Sequence, residues 1–333
     1  MDPSTPLRTS IQRFTADLAE TWDAFVHASR NGTLFHTRRF LSYHPEGRFE
    51  DHSLLFFEGN RLLAVLPAVS LLEEGKKFFR AHDGSTYGGL VLSLKCSAAA
   101  TFDIVASLLS FLRTEGFGEV AFLRLTPAPL RSMYCDDQEY ALLAQGFSLF
   151  RSELGSIVDL AGLTEETLLS SFDAQCRNEV RQAERARVKV CVCNAYDAFF
   201  PMLEATLQQR HNVQPTHTLA ELQHLASLFP DAIRLFGAYS ADRFIAGVVT
   251  VNVTKHALYT KYIAQDYAFQ KMRPVNLLLA EILRAMLREG KTVMDLGVSM
   301  DAESPKGINE GLYAFKEGFG ARAVRRESFS LCL

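Results

Sequence analysis

The sequence predicts an α/β protein with mixed sheets, built as two tandem copies of one unit. Three observations carry that reading. The chain has 333 residues, enough for two domains of ordinary size that each bury a core. Each half runs in the same order: apolar hairpin, further strand, long apolar helix stopped by a glycine, closing strand. Finally, RTEGFGEVAFLRL from Arg113 matches REGKTVMDLGV from Arg288 in type and order, the mark of an internal duplication. The boundary falls near residue 153, giving expected domains 1–153 and 154–333.

The elements follow in chain order. Leu18, Trp22, Phe25 and Val26 form one helical stripe, closed by Asn31-Gly32. SLLFFEGN and RLLAVLPAVS are two apolar runs turning at Gly59-Asn60, a hairpin, and a third strand is expected around Gly88 to Leu92. AAATFDIVASLLSFLRTEG reads as a helix ending at Gly116, and EVAFLRL as a buried strand. After the boundary, Ser156 to Leu160 is a strand, and Thr164 with Glu165-Glu166 opens a helix. IRLFGAYS and FIAGVVTVNV make the second hairpin, HALYTKYIAQD a strand, PVNLLLAEILRAMLREG a helix, and TVMDLGV the closing strand.

Composition narrows the function classes. With 48% apolar and 22% charged residues the chain is a folded protein. A net charge of -3 excludes a broad surface for coating DNA, while a local basic groove stays compatible. No run of about 18 apolar residues occurs, and MDPSTPLRTSIQRF lacks a signal-peptide core, so the expectation is a cytoplasmic protein with no membrane span. Cys96, Cys135, Cys176, Cys191, Cys193 and Cys332 are scattered without a histidine cluster, which predicts buried free thiols and no metal site.

The stretch Val293 to Gly320 gathers the chemistry. An apolar strand breaks at a glycine, and a polar loop leads to a short helix carrying Phe315 and Lys316. Ligands bind where strand carboxyl ends open a crevice, which makes Lys316 a candidate working residue. A lysine in a helix's last turn also complements the helix dipole, so both roles stand. Arg177, Arg181 and Arg185 recur every four residues and stack on one helix face. They are either an anion site, since arginine forks match phosphate and carboxylate oxygens, or a solvated face paired by Glu179 and Glu184. His211, after the YDAFFPMLEATLQQR helix, is a candidate for proton transfer or a cap on helix carbonyls.

DLG at Asp295 to Gly297 and GLYAFKEGFG at Gly311 to Gly320, with CRNEVRQAERARVKV and RHNVQP upstream, resemble the landmarks of FemABX-type transferases of the GNAT acyltransferase superfamily. The resemblance covers most of residues 155–330. It implies tandem GNAT-like domains with a groove between them, and acyl or aminoacyl transfer to an amine of a cell-envelope, peptidoglycan or polysaccharide precursor. It marks Arg177, Asp295 and Phe315 as substrate-side positions. It also implies that backbone groups near Tyr262 to Ala264, on a strand that splays from its neighbour, stabilise the oxyanion. By alternation, Tyr259, Lys261 and Gln265 would point one way and Thr260, Tyr262 and Ala264 the other. AHDGSTYGGL, with Asp83 and Tyr87, resembles the stretch that holds a nucleotide-linked acceptor; a plain hairpin turn is the alternative and the simpler reading.

The donor is read at DYAFQKMRPVNLLL. A CoA-using GNAT protein carries glycines here so that amides close on the pyrophosphate. This chain has Gln270, Arg273 and Asn276 as the cofactor-side candidates, no glycine, and Pro274, which lacks an N–H. No tightly bound cofactor is expected; acyl-CoA or aminoacyl-tRNA is the co-substrate. Partners are then a small-molecule or sugar-nucleotide-linked acceptor and charged tRNA, although no heptad run supplies the coiled-coil arm some family members carry. Two alternatives remain open: a CoA-dependent N-acetyltransferase, and an inactive duplicate that binds a sugar nucleotide or a partner protein.

Overall fold

The computed structural model describes residues 9–211 and 213–333. The side chains of Arg210 and His211 lie outside the described residues, so the proton-transfer candidate His211 is not assessed. The chain forms two compact units, one of residues up to Glu153 together with Arg325–Leu333, the other of Leu154–Val324.

The first unit contains β1 (Ser10–Arg13), α1 (Ala19–Ala28), α2 (Arg38–Leu41), β2 (Glu50–Asp51), β3 (Leu54–Glu58), β4 (Arg61–Leu66), β5 (Val69–Glu73), β6 (Lys76–Ala81), β7 (Val91–Leu92), α3 (Ala98–Thr114), β8 (Glu119–Phe122) and α4 (Asp137–Ala144). One sheet has the order β1-β3-β4-β7; its hairpin closes at Glu58↔Arg61 around Gly59, whose φ of 56° suits glycine. A second set of strands pairs β6 in parallel with β8 and antiparallel with β5. The run read as one strand through Ser70 is broken, because Pro67 cannot donate to a ladder; β4 stops at Leu66 and a separate β5–β6 hairpin follows. The α3 stripe of Ile104, Val105, Leu108 and Leu112 packs with Leu54, Phe56, Leu63 and Phe122.

The second unit contains β9 (Ser148–Asp159, from Leu154 onward), α5 (Glu165–Ser171), α6 (Ala174–Arg185), β10 (Lys189–Cys193), α7 (Tyr196–His211), α8 (Leu219–Leu228), β11 (Ile233–Ser240), β12 (Arg243–Asn252), β13 (Ala257–Gln265), α9 (Pro274–Arg288), β14 (Val293–Val298) and α10 (Glu310–Gly318). Its strands run in the order β10-β11-β12-β13-β14-β9, with β13 and β14 parallel. The helix α9 carries Leu278, Ile282, Leu283 and Met286 into a core shared with Val180 and Ala183 of α6 and Val248 and Met294 of the sheet. On the opposite face α7 approaches so closely that a Cβ on Gly247 would lie 2.6 Å from the Phe199 ring.

The last strand, β15 (Arg322–Cys332), pairs Phe329↔Phe122 with β8, and this pairing draws residues 325–333 into the first unit. The second unit therefore ends at Val324, short of the expected 333. Among the described residues no helix is long and apolar enough to cross a membrane.

Candidate active site

The site grows out of the parting of β13 and β14. Their parallel register runs Ala257↔Val293, Leu258↔Met294, Tyr259↔Asp295 and then stops, so the carboxyl halves of the two strands diverge into a wedge. Two irregularities shape it. Between Val249/Thr250 the β12–β13 register shifts, and Val249↔Tyr262 is followed by Thr250↔Thr260, so Lys261 is bulged out. On β14, Gly297 takes a φ of 76°, and the register against β9 shifts between Asp295 and Val298. The bulge corrects the expected alternation. Thr260 donates its hydroxyl to Asp295 O at 3.1 Å, whereas Tyr262 turns to the α7–α8 face and meets His217 Nδ1 at 2.7 Å. Burial pushes the Tyr262 phenol up to about 12.

The catalytic candidate Lys316 and the substrate-side candidate Asp295 build the β14 wall of this wedge. The Asp295 carboxylate is fully buried and accepts from Gly297 N at 2.7 Å. Lys316, only 5% exposed, donates from Nζ to Gly297 O at 3.0 Å and Val298 O at 2.9 Å. Its charge thus sits at the carboxyl end of β14, where strand carbonyls stabilise an ammonium. One turn earlier on α10, Tyr313, which no residue pattern marked in advance, donates to Gly155 O at 3.2 Å. Phe315 lies against the core with its ring 5.3 Å from Phe319. It is a packing residue that holds α10 down.

The arginine face of α6 is divided. Arg177 and Arg181 line a recess of about 510 Å³ with Glu166, Leu169 and Ser170. Arg177 is half-buried and tied to Phe172 O, while Arg181 and Arg185 are exposed. Glu179 and Glu184, weighed as local partners of the arginines, turn instead to α9, at 3.4 Å from Arg273 and 3.6 Å from Arg284. Asn276 Nδ2 also donates to Glu179 Oε2 at 2.9 Å. Two of the three residues proposed to hold a cofactor, Arg273 and Asn276, are therefore engaged with a carboxylate of the protein itself. The third, Gln270, is exposed, and its carbonyl accepts from Arg273 N.

Residues 170–317 match the family model described as the acetyltransferase (GNAT) domain. Among solved structures, FemX aligns over 97% of both chains with a TM-score of 0.75 at 13% identity. The chain has a FemX-like tandem GNAT fold. The C-terminal domain of a putative lysylphosphatidylglycerol synthetase from Agrobacterium fabrum aligns over 84% of each chain, with a TM-score of 0.54 and 14% identity. A tandem GNAT protein from the clavulanic acid biosynthesis pathway aligns over 97% of this chain and 98% of its own, with a TM-score of 0.56 and 12% identity. Among curated proteins no sequence match is found.

In the first unit of this FemX-like fold the expected acceptor residues serve packing. Tyr87 is fully buried, edge-on to Phe35 at 5.6 Å and 5.5 Å from the Arg326 guanidinium. Gly88 is demanded by the close approach of Ala81 O, which would lie 2.0 Å from a Cβ. Asp83 is half-buried, 3.7 Å from Arg80. The thiols also differ from expectation: Cys96 and Cys176 are buried, but Cys191 and Cys332 are exposed, on the edge strand β10 and near the end of β15. Burial, reinforced by Asp173, pushes Cys176 up to about 12, so it stays an inert thiol. Among the described residues no group of His, Cys, Asp and Glu could hold a metal ion.

Proposed function

We propose that the chain is a FemAB-like transferase that moves an acyl or aminoacyl group onto an amine of a cell-envelope or polysaccharide precursor. The observation that carries this reading is the wedge between β13 and β14, bulged at Lys261 and walled by a β14 end that Lys316 and Asp295 hold. The likeness of fold to FemX and to the lysylphosphatidylglycerol synthetase domain supports the aminoacyl and envelope parts.

In this mechanism the donor's carbonyl enters the wedge, where β13 amides that no longer face β14 donate to its oxygen. The acceptor's amine forms the new C–N bond. Negative charge gathers on the carbonyl oxygen, and the Lys316 ammonium opposes it from the β14 wall. Collapse breaks the bond between the acyl carbon and the donor's oxygen, and the amine's surplus proton passes through water to that leaving oxygen. Tyr262, kept protonated by burial, is unable to act as a base and instead fixes the α8 end through His217. Arg177 and Arg181, on their recess, are the residues we assign to an anionic part of either substrate.

A melting-temperature screen tests the reading, because a ligand bound only by the folded state raises stability with its affinity. Charged tRNA and UDP-linked acceptors are expected to raise the transition, less so in an Arg177→Ala, Arg181→Ala chain. If neither ligand class moves it at any concentration, the envelope-transferase reading fails.

A further inference from the structure

The helix α9 presents an unusual amino end. It spans fifteen residues, so its first turn carries a substantial positive potential. Its N-cap residue Arg273 makes no side-chain cap, the first turn has no acidic residue, and Pro274 at its start offers no N–H. The potential is answered from another helix. Glu179 of α6 places Oε2 at 2.9 Å from Asn276 Nδ2 and Oε1 at 3.4 Å from Arg273 Nη2. Gln175 Nε2 adds a contact to Oε1 at 3.3 Å. Asn276 is 6% exposed, and Gln182 of α6 ties down Lys271 O at 2.7 Å. The segment leading into α9 is thus tied to α6 through Lys271 O, Arg273 and Asn276.

We infer that Glu179 determines the donor class: its carboxylate stands in for a donor's pyrophosphate at the amino end of α9 and excludes diphosphate-bearing donors from it. The inference rests on the transferase reading above, and names the donor as one that needs no anion site on α9. A pyrophosphate brought to this turn meets a fixed negative charge. The two side chains that would receive it already hold that charge. Arg273 adds a second sign of a site built for an anion, since its Nε is buried and makes no hydrogen bond. A further anionic oxygen would satisfy that donor once the Glu179 charge is removed. The acyl-CoA donor common to GNAT-fold enzymes therefore does not fit this unit, and no step of the mechanism passes through it.

The test is calorimetric titration of inorganic pyrophosphate and of coenzyme A into the full chain and into Glu179→Gln and Glu179→Ala. The amide of Glu179→Gln keeps an oxygen for Asn276, so this variant preserves the α6–α9 seam while deleting the charge. Folding of each is read from its melting curve. The expected result is no heat with the unaltered chain and pyrophosphate binding at least about tenfold tighter in a variant. Binding of either ligand to the unaltered chain with the same affinity as to the variants overturns the inference. So does the failure of both folded variants to bind pyrophosphate. Because no acyl transfer is measured, a negative outcome here leaves the transferase reading intact, and loss of that reading leaves the calorimetric result standing.

Discussion

Lys316 ties α10 to the end of β14 at the wedge where we propose that transfer occurs. Its ammonium is nearly removed from water and donates to two consecutive carbonyls, Gly297 O and Val298 O. Replacing it with methionine keeps the volume but strips both acceptors, at a cost on the order of 2–4 kcal/mol in urea denaturation. Asp295 gives a graded control. Asp295→Asn retains the oxygen that Gly297 N needs and is expected to lose less than Asp295→Ala, for which about 1–3 kcal/mol is expected. Equal losses would mean that the carboxylate charge, not the hydrogen bond, matters. Lys316 was legible from its place beside a strand end, and Asp295 from the family resemblance of its DLG segment. Their partners were not, since the contacts depend on how the loop of residues 299–309 returns α10 to β14.

At the scale of elements, the wedge depends on two departures from regular strand geometry. Gly297 holds a φ of 76°, and the nearest atom to a Cβ there is Tyr259 Cε2 at 3.9 Å. Gly297→Ala therefore meets no clash and should cost only the backbone term, about 1–2 kcal/mol in thermal or urea unfolding. A neutral substitution would remove the left-handed turn from the account. The Lys261 bulge was invisible beforehand, because TKYIAQ alternates as well as any regular strand and nothing in residue type marks an inserted position. The hairpin at Gly59 was readable for the opposite reason: Gly59-Asn60 are residue types that tolerate the positive φ a tight turn needs. Glu179 was read as a local partner of the arginines around it, because the residue that captures it, Asn276, is 97 positions away.

At the scale of the whole molecule, the duplication was visible because both halves repeat the same order of apolar runs. The exchange of β15 was not, because a closing strand looks the same whichever sheet it completes. The first unit also predicts an acid response. Burial pushes His36 and His82 down to about 4, with the charges of His44 and Arg38 adding to the effect at His82. The unfolded chain binds protons at these sites near pH 6.5, where the folded unit does not, so their contribution is fully present above pH 6.5 and lost as pH falls toward 4. Each site supplies on the order of 3 kcal/mol of that dependence. His36→Gln and His82→Gln should flatten the fall in melting temperature between pH 7 and 5, and an unchanged slope would remove these histidines as its source. The central claim concerns transfer at the wedge. Its most direct measurement is mass analysis of acceptor after incubation with aminoacyl-tRNA and UDP-linked, amine-bearing precursors, using the unaltered chain and folded Lys316→Met. The account predicts a new amide with the unaltered chain and almost none with Lys316→Met; equal yields from the two, or no amide from any donor, would contradict it.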